Sequence, residues 1–350
     1  MEDKKIRVVI VDDSAFMRTA LERMIKNDPS IQIIGSAANG IEAIERISRL
    51  QPDVVTMDVE MPLMDGLQAL KEIMRIRPTP VLMVSSLTHE GAKVTLDALT
   101  LGAVDYIPKP GSTFSTNILN LKDELIKKIH TAVDSKPMAI KLDFSHKTTT
   151  KLVPVKKDTI SKAIFIGAST GGPPAIQKIL SSLDSNLPAP IIIAQHMPKA
   201  FTGAFASRLN MICRIKVKEA CDGEQLQNSI VYICPGDNQT RVIRSLDGKC
   251  TFSIKPNTEE KELYAPCINT LFYSASKEFG SNAVGIILTG MGEDGVKGLK
   301  NIKLVGGLTI AQDRISSVVY GMPRAALEQQ AAVRVLNLDD IATEIELSLK

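Results

Sequence analysis

Short apolar runs alternate along this chain with stretches in which apolar residues recur every three to four positions. In the first half the runs at 6–11, 31–37, 53–58, 80–85 and 103–107 predict strands, and the periodic stretches at 14–27, 40–50 and 66–77 predict amphipathic helices. Unbroken apolar strands are buried on both faces, which points to a parallel sheet with helices on either side. The expected fold of this half is a doubly wound, flavodoxin-like α/β domain with strand order 2-1-3-4-5. From 131 to 160 the periodicity dissolves into Lys, Thr, Ser and Asp with Pro137 and Pro154, as in a flexible linker. Alternation resumes with apolar runs at 163–167, 191–195, 283–289 and 307–312, and 268–279 reads as a helix. Between the second and third of those runs lie four short β-rich stretches, 214–220, 230–234, 240–245 and 251–255. They are punctuated by Asp222-Gly223, Pro235-Gly236 and Asp247-Gly248. Such spacing predicts an antiparallel hairpin insert beside a second doubly wound sheet. The expected organisation is therefore a domain over 5–127, a linker over 128–160 and a second domain over 161–350.

Composition narrows the setting. The 350 residues are 44% hydrophobic and 23% charged, without tryptophan, as in an ordinary soluble protein with aliphatic cores. The formal net charge is +3, with the basic excess falling between 131 and 160, so neither domain carries a concentrated nucleic-acid footprint. Five cysteines, an odd number with no C-x-x-C spacing and no signal-peptide pattern, predict reduced thiols and a cytoplasmic location. No apolar run approaches transmembrane length, so membrane insertion is not expected.

Candidate chemistry gathers where strands end. GASTGGP at 167–173 follows the apolar run 163–166 and leads into a helix opened by Pro173-Pro174. Ser169 is thereby placed at the apex of a strand–turn–helix, in the G-x-S-x-G pattern of a nucleophile elbow. The same turn could be a plain connection or a phosphate cradle, but a dinucleotide fingerprint would have glycine where Ser169 stands. His196, one of four histidines, ends the next strand in IIIAQHMP at 191–198, so parallel strands would deliver a serine and a base to one sheet edge. A third glycine-rich turn, LTGMGEDG at 288–295, offers Asp294 as the acid that fixes the imidazole. Glu293 beside it should point elsewhere, and Asp313 after the following strand is the reserve acid. No histidine follows His196, which excludes the Ser–acid–His order of α/β-hydrolases.

In the first half Asp12 and Asp13 follow strand one, Asp58 ends strand three, Ser85 ends strand four and Lys109 follows strand five. Order 2-1-3-4-5 makes strands one and three neighbours, so three carboxylates converge and call for a hard cation such as Mg²⁺. Lys109 could neutralise a phosphoryl group there, and the Ser85 hydroxyl could bond it.

These residues carry two resemblances. IVDDSAFMR (10–18), MDVEMPLMDG (57–66), VSS (84–86) and YIPKP (106–110) resemble a response-regulator receiver over 5–127. The resemblance implies that Asp58 is the phospho-acceptor and that Asp13, Asp58 and the Glu60 carbonyl ligate Mg²⁺, supported by Asp12. It implies further that Ser85, standing where threonine is commoner, contacts the phosphoryl group, that Lys109 pairs with it, and that Tyr106 is an aromatic switch. GASTGGP, IIIAQHMP and LTGMGEDG, in that order behind a receiver, resemble the chemotaxis protein-glutamate methylesterases, the CheB family. That likeness implies hydrolysis of glutamate γ-methyl esters on chemoreceptors, releasing methanol, and deamidation of specific receptor glutamines. In it Ser169 is the nucleophile, His196 the base, Asp294 the orienting acid and the Met291 N–H an oxyanion donor; Thr170 lies in the matched motif, where it could equally cap the following helix. The implied partners are methylated chemoreceptor cytoplasmic domains and a chemotaxis histidine kinase. The protein is expected to be a monomer, with Mg²⁺ serving phosphorylation and no cofactor serving ester hydrolysis. Three readings compete: a non-catalytic docking domain behind the receiver, the same hydrolase acting on another protein, and a DNA-binding regulator. The last is disfavoured because 161–350 is long, nearly charge-balanced and strand-rich.

Overall fold

The computed structural model describes residues 5–86, 88–109, 118–135, 160–246, 248–260 and 262–350. Pro110 of the YIPKP motif and most of the expected linker, including His146, lie outside the described residues. The chain divides into two compact units, Met1–Ile140 and Lys141–Lys350.

In the first unit the elements run β1 (Ile6–Val11), α1 (Ala15–Ile25), β2 (Ile31–Ala37), α2 (Gly40–Leu50) and β3 (Val54–Asp58). They continue as α3 (Gly66–Ile76), β4 (Val81–Ser85), α4 (His89–Thr100), β5 (Asp105–Pro108) and α5 (Ile118–Val133). Among the described residues the strands form one five-stranded sheet, order β2-β1-β3-β4-β5, all parallel. This is the order expected from the alternation. Strands β3 and β4 are buried at every position, which is why they read as unbroken apolar runs. Helix starts are set locally: Ser14, Asn39, Asp65 and Thr88 each accept a backbone N–H from the first turn of the helix that follows.

The second unit runs β6 (Ala163–Ala168), α6 (Gly172–Ser182), β7 (Ile191–Gln195), α7 (Lys199–Ile212), β8 (Lys216–Glu219), β9 (Ile230–Ile233), β10 (Asn238–Arg244) and β11 (Cys250–Pro256). A short α8 (Asn257–Glu260) follows, then α9 (Ile268–Phe279), β12 (Ala283–Ile287), α10 (Val296–Leu304), β13 (Leu308–Gln312), α11 (Met322–Glu328), β14 (Arg334–Leu336) and α12 (Leu338–Ser348). Among the described residues a seven-stranded parallel sheet has the order β14-β13-β12-β6-β7-β9-β8, and β10-β11 form an antiparallel pair. The antiparallel insert is thus smaller than the turn spacing suggested, because β8 and β9 extend the main sheet in parallel. The sign of this was burial rather than spacing: Ile230–Ile233 is buried at every residue, as a strand covered on both faces must be.

One face of this sheet, with Phe165, Ile192, Ala194 and Tyr232, packs with Ile268, Leu271 and Phe272 of α9 and Val296, Leu299 and Ile302 of α10 in a continuous buried core. Val242 and Phe252 of the hairpin join it, which is what fixes the insert to the sheet. Helix α6 packs with α7 and α12. The central strand β6 runs toward β7 on one side and β12 on the other, so the strand order reverses there, and such a switch point opens a crevice at the carboxyl ends of the strands. Among the described residues no helix is long and apolar enough to cross a membrane.

Candidate active site

Ser169 follows directly on β6, half-buried, at the turn that feeds α6. The turn is tight because Gly171 takes φ 76°, a left-handed conformation at the N-cap of α6, and Pro stands at the start of the helix. Three contacts hold the Ser169 backbone. Its N–H donates to the Thr289 carbonyl at 3.1 Å, while its carbonyl accepts from Gly172 N–H at 2.8 Å and from Gln195 Nε2 at 2.9 Å. Among the described residues the Ser169 hydroxyl makes no hydrogen bond; such bonds commonly tighten only with substrate present.

His196 arrives beside it by register. Ala168 pairs with Gln195 across β6 and β7, and the His196 N–H donates to the Ala168 carbonyl at 3.0 Å. The imidazole, 11% exposed, bonds through Nε2 to Asp294 Oδ2 at 2.8 Å. That contact leaves Nδ1 as the nitrogen without the carboxylate. The phenol ring of Tyr264 lies flat on the imidazole, centroids 4.2 Å apart and planes 7° from parallel.

Asp294 is 6% exposed and fully engaged. Oδ2 also accepts the Ile268 N–H at 2.7 Å. Oδ1 accepts N–H groups of Asn269 at 3.1 Å and Gly295 at 2.8 Å, and the Cys267 thiol at 3.4 Å. Ile268 and Asn269 open α9, whose N-cap has no side-chain acceptor of its own, so Asp294 caps that helix from a distant segment. Burial pushes the Asp294 carboxyl up, but His196 and the α9 amides outweigh it and hold the group below its ordinary value. Cys267 stays a thiol, its value pushed to about 11 by burial and then by the charge of Asp294.

Other sequence candidates stand around this centre. Glu293 turns outward, accepting from Gln329 Nε2 at 2.9 Å on the surface. Asp313 accepts the Ser316 N–H at 2.8 Å and Asn337 Nδ2 at 3.2 Å, organising the turn after β13. Thr170 is buried and stands just before Gly171, the N-cap of α6; its carbonyl accepts the Thr289 hydroxyl at 2.9 Å. The Met291 N–H donates to no group among the described residues. The turn bearing it presses on Ser169: a Cβ on Gly290 would fall 2.7 Å from Ser169 Cβ and 2.4 Å from Met322 Sδ.

Sequence reasoning missed Gln195, Tyr264, Cys267 and the pair Thr289–Gln312. Gln195 had a local signal, an amide inside a buried strand next to the histidine; it is 2% exposed and bonds the carbonyls of both Ser169 and His196. Gln312, also buried, accepts the Thr289 N–H at 2.8 Å. Tyr264 had no signal, since a loop far along the chain delivers it.

A second acidic centre lies in the first unit. Oxygens of Asp12, Asp13 and Asp58 lie within 4.8 Å of one another. Lys109 Nζ bridges Asp58, 2.7 Å from Oδ1 and 2.8 Å from Oδ2. Burial would lower Lys109, but Asp58 outweighs it and keeps the ammonium charged. Asp12 is pushed up to about 6, by burial first and then by Asp58. Its Oδ2 is buried and accepts no hydrogen bond among the described residues. An orphaned oxygen among crowded carboxylates is a donor set that fits a hard dication such as Mg²⁺. Glu60, exposed, donates its N–H toward Asp58 Oδ1 at 3.4 Å. Ser85 is buried and accepts from Thr95 Oγ1 at 2.7 Å. Tyr106, 5% exposed, lies under the Lys128 ammonium, 5.1 Å from the ring centroid, and its carbonyl accepts from the same Nζ at 2.6 Å.

Comparison with known proteins covers both units. The CheB methylesterase family model matches residues 164–345 and the response regulator receiver domain model matches residues 8–116. A protein-glutamate methylesterase/protein-glutamine glutaminase of Lawsonia intracellularis is 46% identical over 98% of this chain and 99% of its own length. One from Pyrococcus abyssi is 43% identical over 97% of this chain and 92% of its own. The crystal structure of the Thermotoga maritima CheB methylesterase catalytic domain is 36% identical, covering 53% of this chain and 98% of that chain with a TM-score of 0.51.

Proposed function

The chain belongs to the CheB methylesterase family and carries a response regulator receiver domain, and from that premise we propose that it is a phosphorylation-regulated chemotaxis esterase whose chemistry is run by Ser169, His196 and Asp294. Its substrates are glutamate γ-methyl esters on methylated chemoreceptors, and specific receptor glutamines for deamidation. The observation that carries the assignment is the 2.8 Å bond from His196 to buried Asp294, at the strand end registered beside Ser169.

Ser169 Oγ attacks the ester carbonyl while its proton passes to His196. Because Nε2 faces Asp294, the receiving nitrogen is Nδ1. Asp294 fixes that tautomer and stabilises the imidazolium. The tetrahedral oxyanion is met by the Met291 N–H, and Thr170, in the turn after the nucleophile, supports the same pocket. Collapse breaks the C–O bond; the His196 proton goes to the departing methoxide, and methanol leaves a γ-glutamyl ester on Ser169. Water then attacks, giving its proton to His196, and the returning proton frees Ser169 and glutamate. With glutamine the same steps release ammonia. A triad completes this acyl transfer without a cofactor.

In the receiver, Asp58 is proposed as the phospho-acceptor, charged by a histidine kinase of the pathway. Mg²⁺ would be held by Asp13, Asp58 and the Glu60 carbonyl beside Asp12, and supplies charge neutralisation for the incoming phosphoryl group. Lys109 already pairs with Asp58 and would pair with that group, Ser85 would bond it, and Tyr106 would read the change. The deciding assay is methanol release from a methylated chemoreceptor cytoplasmic fragment. Ser169→Ala should lower kcat by roughly a thousand-fold or more; turnover near the parent rate would remove the serine mechanism.

A further inference from the structure

We propose that Tyr264 is a positioning residue for the base, a flat platform that fixes the plane of the His196 ring. The inference rests on the triad reading given above. The carboxylate contact at Nε2 fixes one edge of the imidazole and does not by itself set the plane of the ring. A ring stacked 4.2 Å away and within 7° of parallel sets that plane, and so aims Nδ1. Orientation errors of this kind are costly in catalysis, because a reacting pair must meet within a narrow angle and distance.

The platform is built in. Tyr264 has its carbonyl bonded by Gln239 Nε2 at 2.7 Å, and Gln239 is fully buried on β10. The same amide accepts the Cys267 N–H at 3.0 Å through Oε1 and donates to Asn257 Oδ1 at 2.8 Å. The Ala265 carbonyl accepts the Asp237 N–H at 3.2 Å. Four residues after Tyr264 the chain enters α9, whose first amides hold Asp294. One pinned segment therefore sets both the face of the imidazole and the position of the carboxylate that bonds its edge. The Tyr264 hydroxyl lies over the 290–292 turn, 3.6 Å from where a Cβ on Gly292 would sit, so the ring spans from the base to the turn carrying Met291.

The test uses the full-length protein, methylated receptor fragment and methanol release, with Ser169→Ala in parallel. Tyr264→Leu keeps bulk but loses the flat face, and should lower kcat roughly ten- to hundred-fold with KM within about threefold. Tyr264→Phe keeps the face and should stay within about threefold of the parent in both constants. Should the leucine variant unfold on heating well below the parent, the phenylalanine and Tyr264→His variants decide, since both retain a planar ring. A leucine variant with unchanged kcat overturns the proposal. So does one whose loss is all in KM, which would make Tyr264 a substrate contact, or a phenylalanine variant as slow as leucine, which would make the hydroxyl the active part. An active Ser169→Ala protein would instead defeat the triad reading, and the two failures are therefore distinct.

Discussion

Asp294 serves two elements with one carboxylate: it bonds His196 and caps α9. Asp294→Asn should accordingly cost on two scales. Activity should fall by about a thousand- to ten-thousand-fold, because the amide cannot hold the same imidazole tautomer. Stability should fall by roughly 1–2 kcal/mol, because a charged acceptor of helix amides is lost. Glu293→Gln, on the surface, should change neither; methanol release and urea unfolding read the two effects separately. The pH dependence has a definite sign. A carboxyl held below its unfolded value stabilises the fold above that value and loses the contribution as pH falls through the lower, folded one. The stability gap between the parent and Asp294→Asn should therefore be full near neutrality, begin to shrink as pH falls below about 4, and vanish only below the lower, folded value. A gap that widened in acid would show that the cap is not ionised in the fold.

At the level of elements, both candidate centres sit where a parallel sheet changes direction. Asp12 and Asp58 end neighbouring strands β1 and β3, and Ser169 ends β6 between the ends of β7 and β12. This much was legible in the sequence, since short motifs at strand ends carry their own address: the apolar run gives the strand, the small residues give the turn. The helix at 268–279 was legible for the same local reason. What the sequence hid are contacts between segments far apart in the chain. Tyr264 reaches His196, and Asp294 caps a helix that precedes it, only because the tertiary fold brings them together. The three-residue β14 was missed because it is too short to show a period and is largely exposed. Strand-end turns have their own sensitivity. Gly290→Ala would place a methyl against Ser169 and Met322, with no space on either side. Overpacking of this kind costs about 1–3 kcal/mol. Displacing Ser169 by even part of an ångström should add a loss of roughly a hundred-fold in kcat. Thermal unfolding and methanol release measure both, and a fully active Gly290→Ala protein would contradict the packing described for this turn.

For the whole molecule, the question is how phosphorylation at the proposed acceptor Asp58 would act on the chemistry proposed for Ser169. Energetically this is a coupling: phosphorylation must favour an active state over a resting one by a differential free energy. Two contacts in the receiver bear on that coupling. Lys109 is committed to Asp58, and Tyr106 is tucked inward beneath Lys128, whose ammonium also pairs with Asp105 and Glu124. A phosphoryl group brings about two negative charges and new acceptors into this pocket, so Lys109 must repartition and the residues beyond it must follow. Couplings of this type run at about 1–3 kcal/mol, so a small phosphodonor with Mg²⁺ should raise methanol release by roughly ten- to hundred-fold. Asp58→Asn should abolish both the labelling and the response. Lys109→Ala removes the group proposed to sense the phosphoryl charge while leaving Asp58 in place; it should be labelled and yet stay at the resting rate. Labelling without Asp58 would move the acceptor elsewhere. A Lys109→Ala protein that activates as fully as the parent would show that the signal leaves Asp58 by a route that does not pass through this lysine.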